Sequence, residues 1–239
     1  RVLGDVDAAL LGALPATDAL GGPLYGTCAV VGSSGSLLHR TLGVEIDAHD
    51  AVFRVNNAPV SGFEPDVGSS AAVSVISGWK LHACASEPGC PCWPYGAQAA
   101  LATYVWEPFM YGDVRACRAA NPASVLYAVD QAFKDLCARA AGAYYRLLKP
   151  RTPRRLKLEP STGLHAVVLA LALCEGVDVY GFGAGEGVAQ HHYFENRTKE
   201  EYGVHDYAAE RALYEDLAAG RPGLAVGEGF DAPPVRLVT

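Results

Sequence analysis

Residues 28–38 read CAVVGSSGSLL. Cys28, Ala29, Val30 and Val31 make a short unbroken apolar run, the pattern of a strand buried on both faces. Gly32-Ser33-Ser34-Gly35-Ser36 follows, and Leu37 and Leu38 then open a predicted helix. Strand, glycine-rich turn and helix together form the unit that brings backbone N–H groups up to a ligand phosphate. The spacing is not GxGxxG, and a plain tight turn fits these residues equally well.

Outward from this unit, residues 51–55 and 71–76 read as further strands. Residues 78–96, rich in Gly, Pro, Cys and Trp, read as a long loop. Residues 101–106 read as another strand and 123–145 as mainly helical. After Pro160-Ser161-Thr162-Gly163, the residues Leu164, Val167, Val168 and Leu171 fall on one helical face, with Ser161 or Thr162 as N-cap. Residues 177–180 are a short strand stopped by Gly181-Phe182-Gly183. Short apolar strands alternating with helices predict an α/β domain with a largely parallel sheet. Residues 1–27 read as a peripheral segment. With no repeat and no linker, residues 1–239 are expected to form a single domain.

Half of the 239 residues are apolar, enough for a sizeable core, and the formal charge is -7. That charge argues against a nucleic-acid partner, since phosphate backbones need clustered Lys and Arg. The one dense basic run, Arg151, Arg154, Arg155 and Lys157, reads as a solvated loop or helix end. The longest strongly apolar run, residues 166–174, falls short of the roughly 20 residues of a membrane span. No charged-then-apolar signal opens the chain, but residue 1 is Arg, so a fragment or processed form is expected, which leaves room for an anchor upstream. Seven cysteines suit disulfides in an oxidising compartment and leave at least one unpaired. Cys90-Pro91-Cys92 is too tight for a zinc pair, and no second pair follows it.

The candidate chemistry lies in the C-terminal third. His191 and His192 stand in HHYFEN, and His205 in GVHDYAAE. Imidazole takes or gives a proton near neutral pH, which a group-transfer reaction needs at both the nucleophile and the leaving group. Any one of them taken alone reads more readily as a hydrogen-bonded structural histidine. No HExxH is present, and the only D-x-D, Asp5-Val6-Asp7, lies far out at the N-terminus.

Residues 28–77 resemble the large sialylmotif of the eukaryotic-type sialyltransferases, with C-A-V-V-G-x-S-G, E-I-D-x-H-D, R-x-N-x-A-P and G-F-E-x-D-V-G in order. Residues 160–183, PSTGLHAVVLALALCEGVDVYGFG, look like the small sialylmotif. His192-Tyr193-Phe194-Glu195 resembles the third motif, and His205 with Glu210 the very small one. Strings such as GFGA and HHYFEN look most like those of the animal β-galactoside α2,3-sialyltransferases.

The resemblance implies a Rossmann-like, mostly parallel sheet flanked by helices, the GT-A-like variant of sialyltransferases, as a luminal catalytic domain that is N-terminally truncated. It implies inverting transfer of sialic acid from CMP-sialic acid to a galactoside hydroxyl, with no metal and no cofactor. The acceptor would be a glycan on a glycoprotein or glycolipid. The setting would be the Golgi lumen, as part of a type II membrane protein whose anchor lies outside this sequence. His205 matches the family's base, and His192 the histidine that stabilises the departing phosphate. Gly32, Ser33, Ser36, Asn56, Ser161, Thr162 and Gly163 match donor- and acceptor-binding positions, and Glu210 a supporting one. Cys28 and Cys174 match a disulfide pair. The residues agree with this: the single phosphate of CMP can sit on the helix start at Ser161 without a metal, and Gly163 leaves room for a ligand.

Departures from the family pattern are Ser33 and Ser36 where Asn is common, Glu159 in place of an aromatic, and Phe194 in place of Trp or Tyr. Ser33 and Glu159 keep open a relative using another CMP-activated acidic sugar, such as CMP-Kdo. A catalytically inert glycan-binding member is a second alternative, against which both histidines speak. A generic dinucleotide-binding oxidoreductase lacks its glycine fingerprint here. Asn196-Arg197-Thr198 is an N-glycosylation sequon, used only if exposed in a secretory lumen.

Overall fold

The structure, a computed structural model, describes residues 22–87, 92–149, 159–183, 190–195, 205–221 and 232–238. The basic run, the sequon, the Asp5–Asp7 pair and Cys90 lie outside the described residues.

Seven strands form one sheet: β1 (Tyr25–Val31), β2 (Ala51–Val55), β3 (Val73–Ser77), β4 (Ala100–Tyr104), β5 (Leu126–Val129), β6 (Cys174–Tyr180) and β7 (Val235–Val238). The order is β5-β4-β3-β2-β1-β6-β7, and every pairing is parallel. Among the described residues seven α-helices accompany them: α1 (Gly43–Asp47), α2 (Glu64–Val67), α3 (Gly78–Ser86), α4 (Met110–Ala120), α5 (Gln131–Leu148), α6 (Thr162–Leu173) and α7 (Tyr207–Ala218).

A parallel sheet must be covered on both faces, so its strands are apolar at consecutive positions. Cys28, Val30, Phe53, Val73 and Val177 face α5, α6 and α7. Ala29, Val31, Val52 and Tyr180 face Ile46 of α1 and Val67 of α2. Toward the β5 edge, Ile76 and Leu101 meet Leu81 of α3 and Met110 and Val114 of α4. Helix α6 is apolar nearly all round and buried along almost its whole length, which makes it the central rod of one layer.

Three local expectations need correction. Residues 78–86 are helical rather than loop, because the Ser77 hydroxyl accepts from the Lys80 N–H and caps α3. Gly78 is there for close packing: a Cβ would sit 2.7 Å from the Tyr104 carbonyl oxygen. Residues 126–129 are an edge strand rather than the start of a helix, and α5 begins after the Asp130 cap. The helix expected from Leu37 is a single tight turn, Gly35–Leu37, with Leu37 buried beneath it. The N–H donors of a helix start therefore come not from this segment but from α6.

Cys28 and Cys174 form a disulfide that closes a 146-residue separation, and Cys92 pairs with Cys117. Cys84 is also disulfide-bonded, and Cys137 is a buried free thiol.

Candidate active site

Chain order reverses at β1: β2 to β5 are laid down on one side of it, then β6 and β7 on the other. In open α/β sheets such a switch point leaves a crevice at the carboxyl ends of the two diverging strands. A cleft of about 350 Å³ lies there. It is lined by the residues that follow β1 (Gly32, Ser33, Ser34), β2 (Asn56) and β6 (Gly181, Phe182, Gly183), by the start of α6, and by His191, His192 and His205.

The loop after β1 is stitched to its neighbours. Gly32 N–H donates to the Tyr180 carbonyl and Ser34 N–H to that of Gly181. The Ser34 hydroxyl donates to the Gly183 carbonyl at 2.7 Å, and Tyr193 N–H to the Ser33 carbonyl at 2.9 Å. Glycine is required at Gly32 because a Cβ would stand 2.5 Å from the Gly181 oxygen. Gly163 also lines the cleft, and a Cβ there would meet the Phe182 ring at 2.5 Å.

Asn56 ends β2 in the left-handed region, φ 54°, which Asn tolerates better than most residues. Its side-chain oxygen accepts from the Ser77 N–H at 3.1 Å. This leaves the amide NH2 as the donor an incoming ligand can use.

The start of α6 is held by Glu210 from α7. Glu210 is 2% exposed, accepting from the Ser161 N–H at 2.7 Å and the Ser161 hydroxyl at 2.6 Å. Ser161 in turn caps α6 by accepting from the Leu164 N–H. Burial pushes the Glu210 carboxyl above the usual carboxylate range, while the Ser161 donors and the potential of His205 act the other way. With the Ser161 and Leu164 N–H groups so used, those of Thr162 and Gly163 remain for a ligand in the cleft. Tyr104 at the end of β4 bonds the Thr162 hydroxyl at 2.6 Å and stacks on His165 with ring centroids 4.1 Å apart. His165 donates Nδ1–H to the Ser161 carbonyl, and burial lowers its pKa to about 4, so this imidazole is neutral.

His205 Nδ1 lies 2.6 Å from the Glu159 carbonyl oxygen. A carbonyl only accepts, so Nδ1 carries the hydrogen, and the neutral ring presents a bare Nε2. His192 Nδ1 lies 3.2 Å from the Glu195 carboxylate, which likewise leaves Nε2 as its working nitrogen. The Phe194 ring stacks on His192 at 5.1 Å. The two histidines belong to one aromatic group, His192 beside His191, His191 beside Tyr207, and Tyr207 beside His205.

The cleft thus gathers Gly32, Ser33, Asn56, Ser161, Thr162, Gly163, His192, His205 and Glu210. Ser36 is not among its lining residues: its N–H is taken by the Ser34 hydroxyl inside the turn, and Ser34 faces the cleft instead. Sequence reasoning also missed Tyr104, Tyr207 and Phe182. A buried tyrosine at a strand's carboxyl end was the available signal for Tyr104. Among the described residues, no group of three or more His, Cys, Asp or Glu is arranged to hold a metal.

The crevice at the switch point thus presents two imidazoles beside the start of a buried helix. The model of glycosyltransferase family 29 (sialyltransferase) matches residues 11–81 and 141–221. The chain belongs to that family. It is 41% identical over 239 residues to sialyltransferase-like protein 2 of Oryza sativa subsp. indica, covering 90% of this chain and 60% of the relative. It is 37% identical to a β-1,6-galactosyltransferase of Arabidopsis thaliana, over 81% of this chain and 51% of that protein. It is 32% identical to a CMP-N-acetylneuraminate-β-galactosamide-α-2,3-sialyltransferase of Sus scrofa, over 75% of this chain and 51% of that one. A crystal structure of a mammalian sialyltransferase superposes with a TM-score of 0.66 at 25% identity, covering 96% of this chain and 76% of the other. The fold is the GT-A-like variant of sialyltransferases. The chain spans about 60% of the length of the rice relative. No helix among the described residues is long and apolar enough to cross a membrane.

Proposed function

We propose that this chain transfers an acidic sugar, sialic acid in the leading reading, from its CMP-activated form to a galactoside hydroxyl with inversion and without a metal. The observation that carries the proposal is the His205 tautomer: Nδ1–H is bonded to the Glu159 carbonyl, which leaves Nε2 as an acceptor in the cleft. A sugar hydroxyl is a poor nucleophile until its proton is being removed. Its oxygen attacks the anomeric carbon while the bond from that carbon to the CMP phosphate breaks, and its proton passes to His205 Nε2. The negative charge that grows on the departing phosphate meets His192 and the free N–H groups of Thr162 and Gly163. Glu210 positions the start of α6 without touching substrate. The whole is read as one catalytic domain. A Golgi-lumen setting belongs to the same proposal, supported by the Cys28–Cys174 and Cys92–Cys117 disulfides.

The Arabidopsis relative favours a second reading, transfer of galactose. A donor screen separates them: purified protein is offered CMP-Neu5Ac, CMP-Kdo and UDP-galactose with a panel of galactosides. Turnover with a CMP sugar that survives EDTA supports the first reading. Turnover with UDP-galactose alone, or activity lost on chelation and restored by Mn²⁺ or Mg²⁺, overturns it.

A further inference from the structure

Trp79 and Phe109 are each 53% exposed, the two most exposed aromatic side chains among the described large hydrophobics. They are not scattered. The Trp79 and Phe109 rings lie 6.0 Å apart, and His82 packs edge-on to both, 6.3 Å from Trp79 and 5.0 Å from Phe109. Asp113 accepts from His82 Nδ1 at 2.9 Å and fixes that ring. Among the described residues the other phenylalanines and tryptophans are buried or partly buried, and a clustered, exposed aromatic patch marks a binding surface.

Its place says what binds. Trp79 follows the end of β3 and Phe109 the end of β4, so the patch stands on the same carboxyl edge of the sheet as the cleft. β3 and β4 lie two and three strands from β1, which at 4.8 Å per strand is about 10 to 14 Å away. Two sets of contacts join patch and cleft. Asn56 of the cleft holds the N–H of Ser77, two residues before Trp79. Thr162 of the cleft bonds Tyr104, against which Trp106 packs edge-on at 5.6 Å, three residues before Phe109. Lys134 braces Trp106 from above at 4.7 Å and donates to the Val105 carbonyl. Gly78 allows β3 and β4 to close up beneath Trp79. The rings are therefore presented by a rigid edge.

We infer that the Trp79–His82–Phe109 patch is a distal acceptor subsite that stacks a pyranose ring one or more units away from the sugar that receives the transfer. This rests on the glycosyl-transfer reading of the cleft. A pyranose offers an apolar C–H face to an aromatic ring and hydroxyls at its rim, and an aromatic surface rimmed by His82 and Asp113 matches both. Continuity with the cleft selects a glycan over a protein partner, and the net charge of -7 disfavours an anionic membrane.

The test compares wild type with Trp79→Ala, Phe109→Ala and the pair, using a galactose disaccharide and a galactose hexasaccharide as acceptors at saturating donor. Trp79→Ala raises KM for the hexasaccharide by about 3- to 10-fold, the worth of one aromatic stack, with kcat unchanged and the disaccharide KM unaltered. Trp79→Phe restores most of the loss. Equal KM changes for both acceptors, or none for either, overturn the subsite while leaving the cleft's function intact. If wild type transfers from no donor, it is the glycosyl-transfer reading that fails. Calorimetric titration with the hexasaccharide then decides the patch alone: binding that the double variant loses supports it, and binding that is absent or unaffected overturns it. Thermal unfolding of each variant identifies any that are misfolded.

Discussion

The cleft has two unlike walls. The helix wall, made by the starts of α6 and α7, is closed: Ser161, Thr162, His165 and Glu210 are buried, and each is tied to a named partner by a hydrogen bond. The loop wall, residues 32–34, 181–183 and 190–195, is partly open, and its histidine, His192, is 28% exposed with a half-open Glu195 as partner. In the proposed reaction a general base must meet the acceptor hydroxyl in one orientation, which suits the buried, hydrogen-bonded wall. A group that meets a nucleotide phosphate needs charge more than exact aim, and the product must leave past it, which suits the looser wall. The difference teaches that the fold concentrates its buried polar network on fixing the start of α6, two residues beyond the Glu159 carbonyl that holds His205.

Breaking the helix wall at its working atom gives the largest effect. His205→Ala lowers kcat by about 100- to 10,000-fold, the usual worth of general-base catalysis, as steady-state turnover will read. Cutting the tie between the walls comes next. The Cys28–Cys174 disulfide joins the end of α6 to the strand that feeds the loop wall, and it closes 146 residues. Cys28→Ser with Cys174→Ser lowers unfolding free energy by about 4–5 kcal/mol on chain-entropy grounds, measured by denaturant titration.

His165 sharpens the contrast through pH. Its folded pKa is lowered to about 4 from 6.5 because burial disfavours the charged ring. Between those values the unfolded chain binds a proton that the folded one refuses, so stability falls as pH drops from about 6.5 to about 4. The fall reaches about 3 kcal/mol at most. His165→Phe flattens that slope in melts across pH, whereas a slope left unchanged would place the titrating group elsewhere. Smallest is Glu210→Ala, which leaves the buried Ser161 donors unmet. It costs about 1–3 kcal/mol, or roughly 2–4 °C of Tm per kcal/mol, with Glu210→Gln milder.

Much of the sheet was legible because β1 ends in the unbroken apolar run Cys28–Val31 and because β2, β3 and β6 are rich in valine, broken only by single polar residues such as Arg54, Ser74 and Asp178, and apolar runs are what burial on both faces demands. Leu126–Val129 was not, since four apolar residues beside a helical stretch have no period of their own. The α3 helix hid behind its composition: Gly78 and Trp79 look like loop until Ser77 is seen to cap them. In the site, the histidines, Asn56 and the Pro160–Gly163 segment stood out through motifs. What joins them did not, because Glu210 reaches Ser161 across 49 residues and Tyr104 reaches Thr162 across 58. Local pattern carries no record of such contacts. The Ser34-for-Ser36 exchange was equally hidden, since only the turn's backbone decides which hydroxyl faces the cleft.

The division of labour between the two walls is tested most directly by calorimetric titration of CMP into wild type, His192→Ala and His205→Ala. The account predicts wild-type affinity in His205→Ala, whose missing ring faces the acceptor, and clearly weakened affinity in His192→Ala, whose missing ring faces the phosphate. Equal losses in both variants, or a loss confined to His205→Ala, would contradict it.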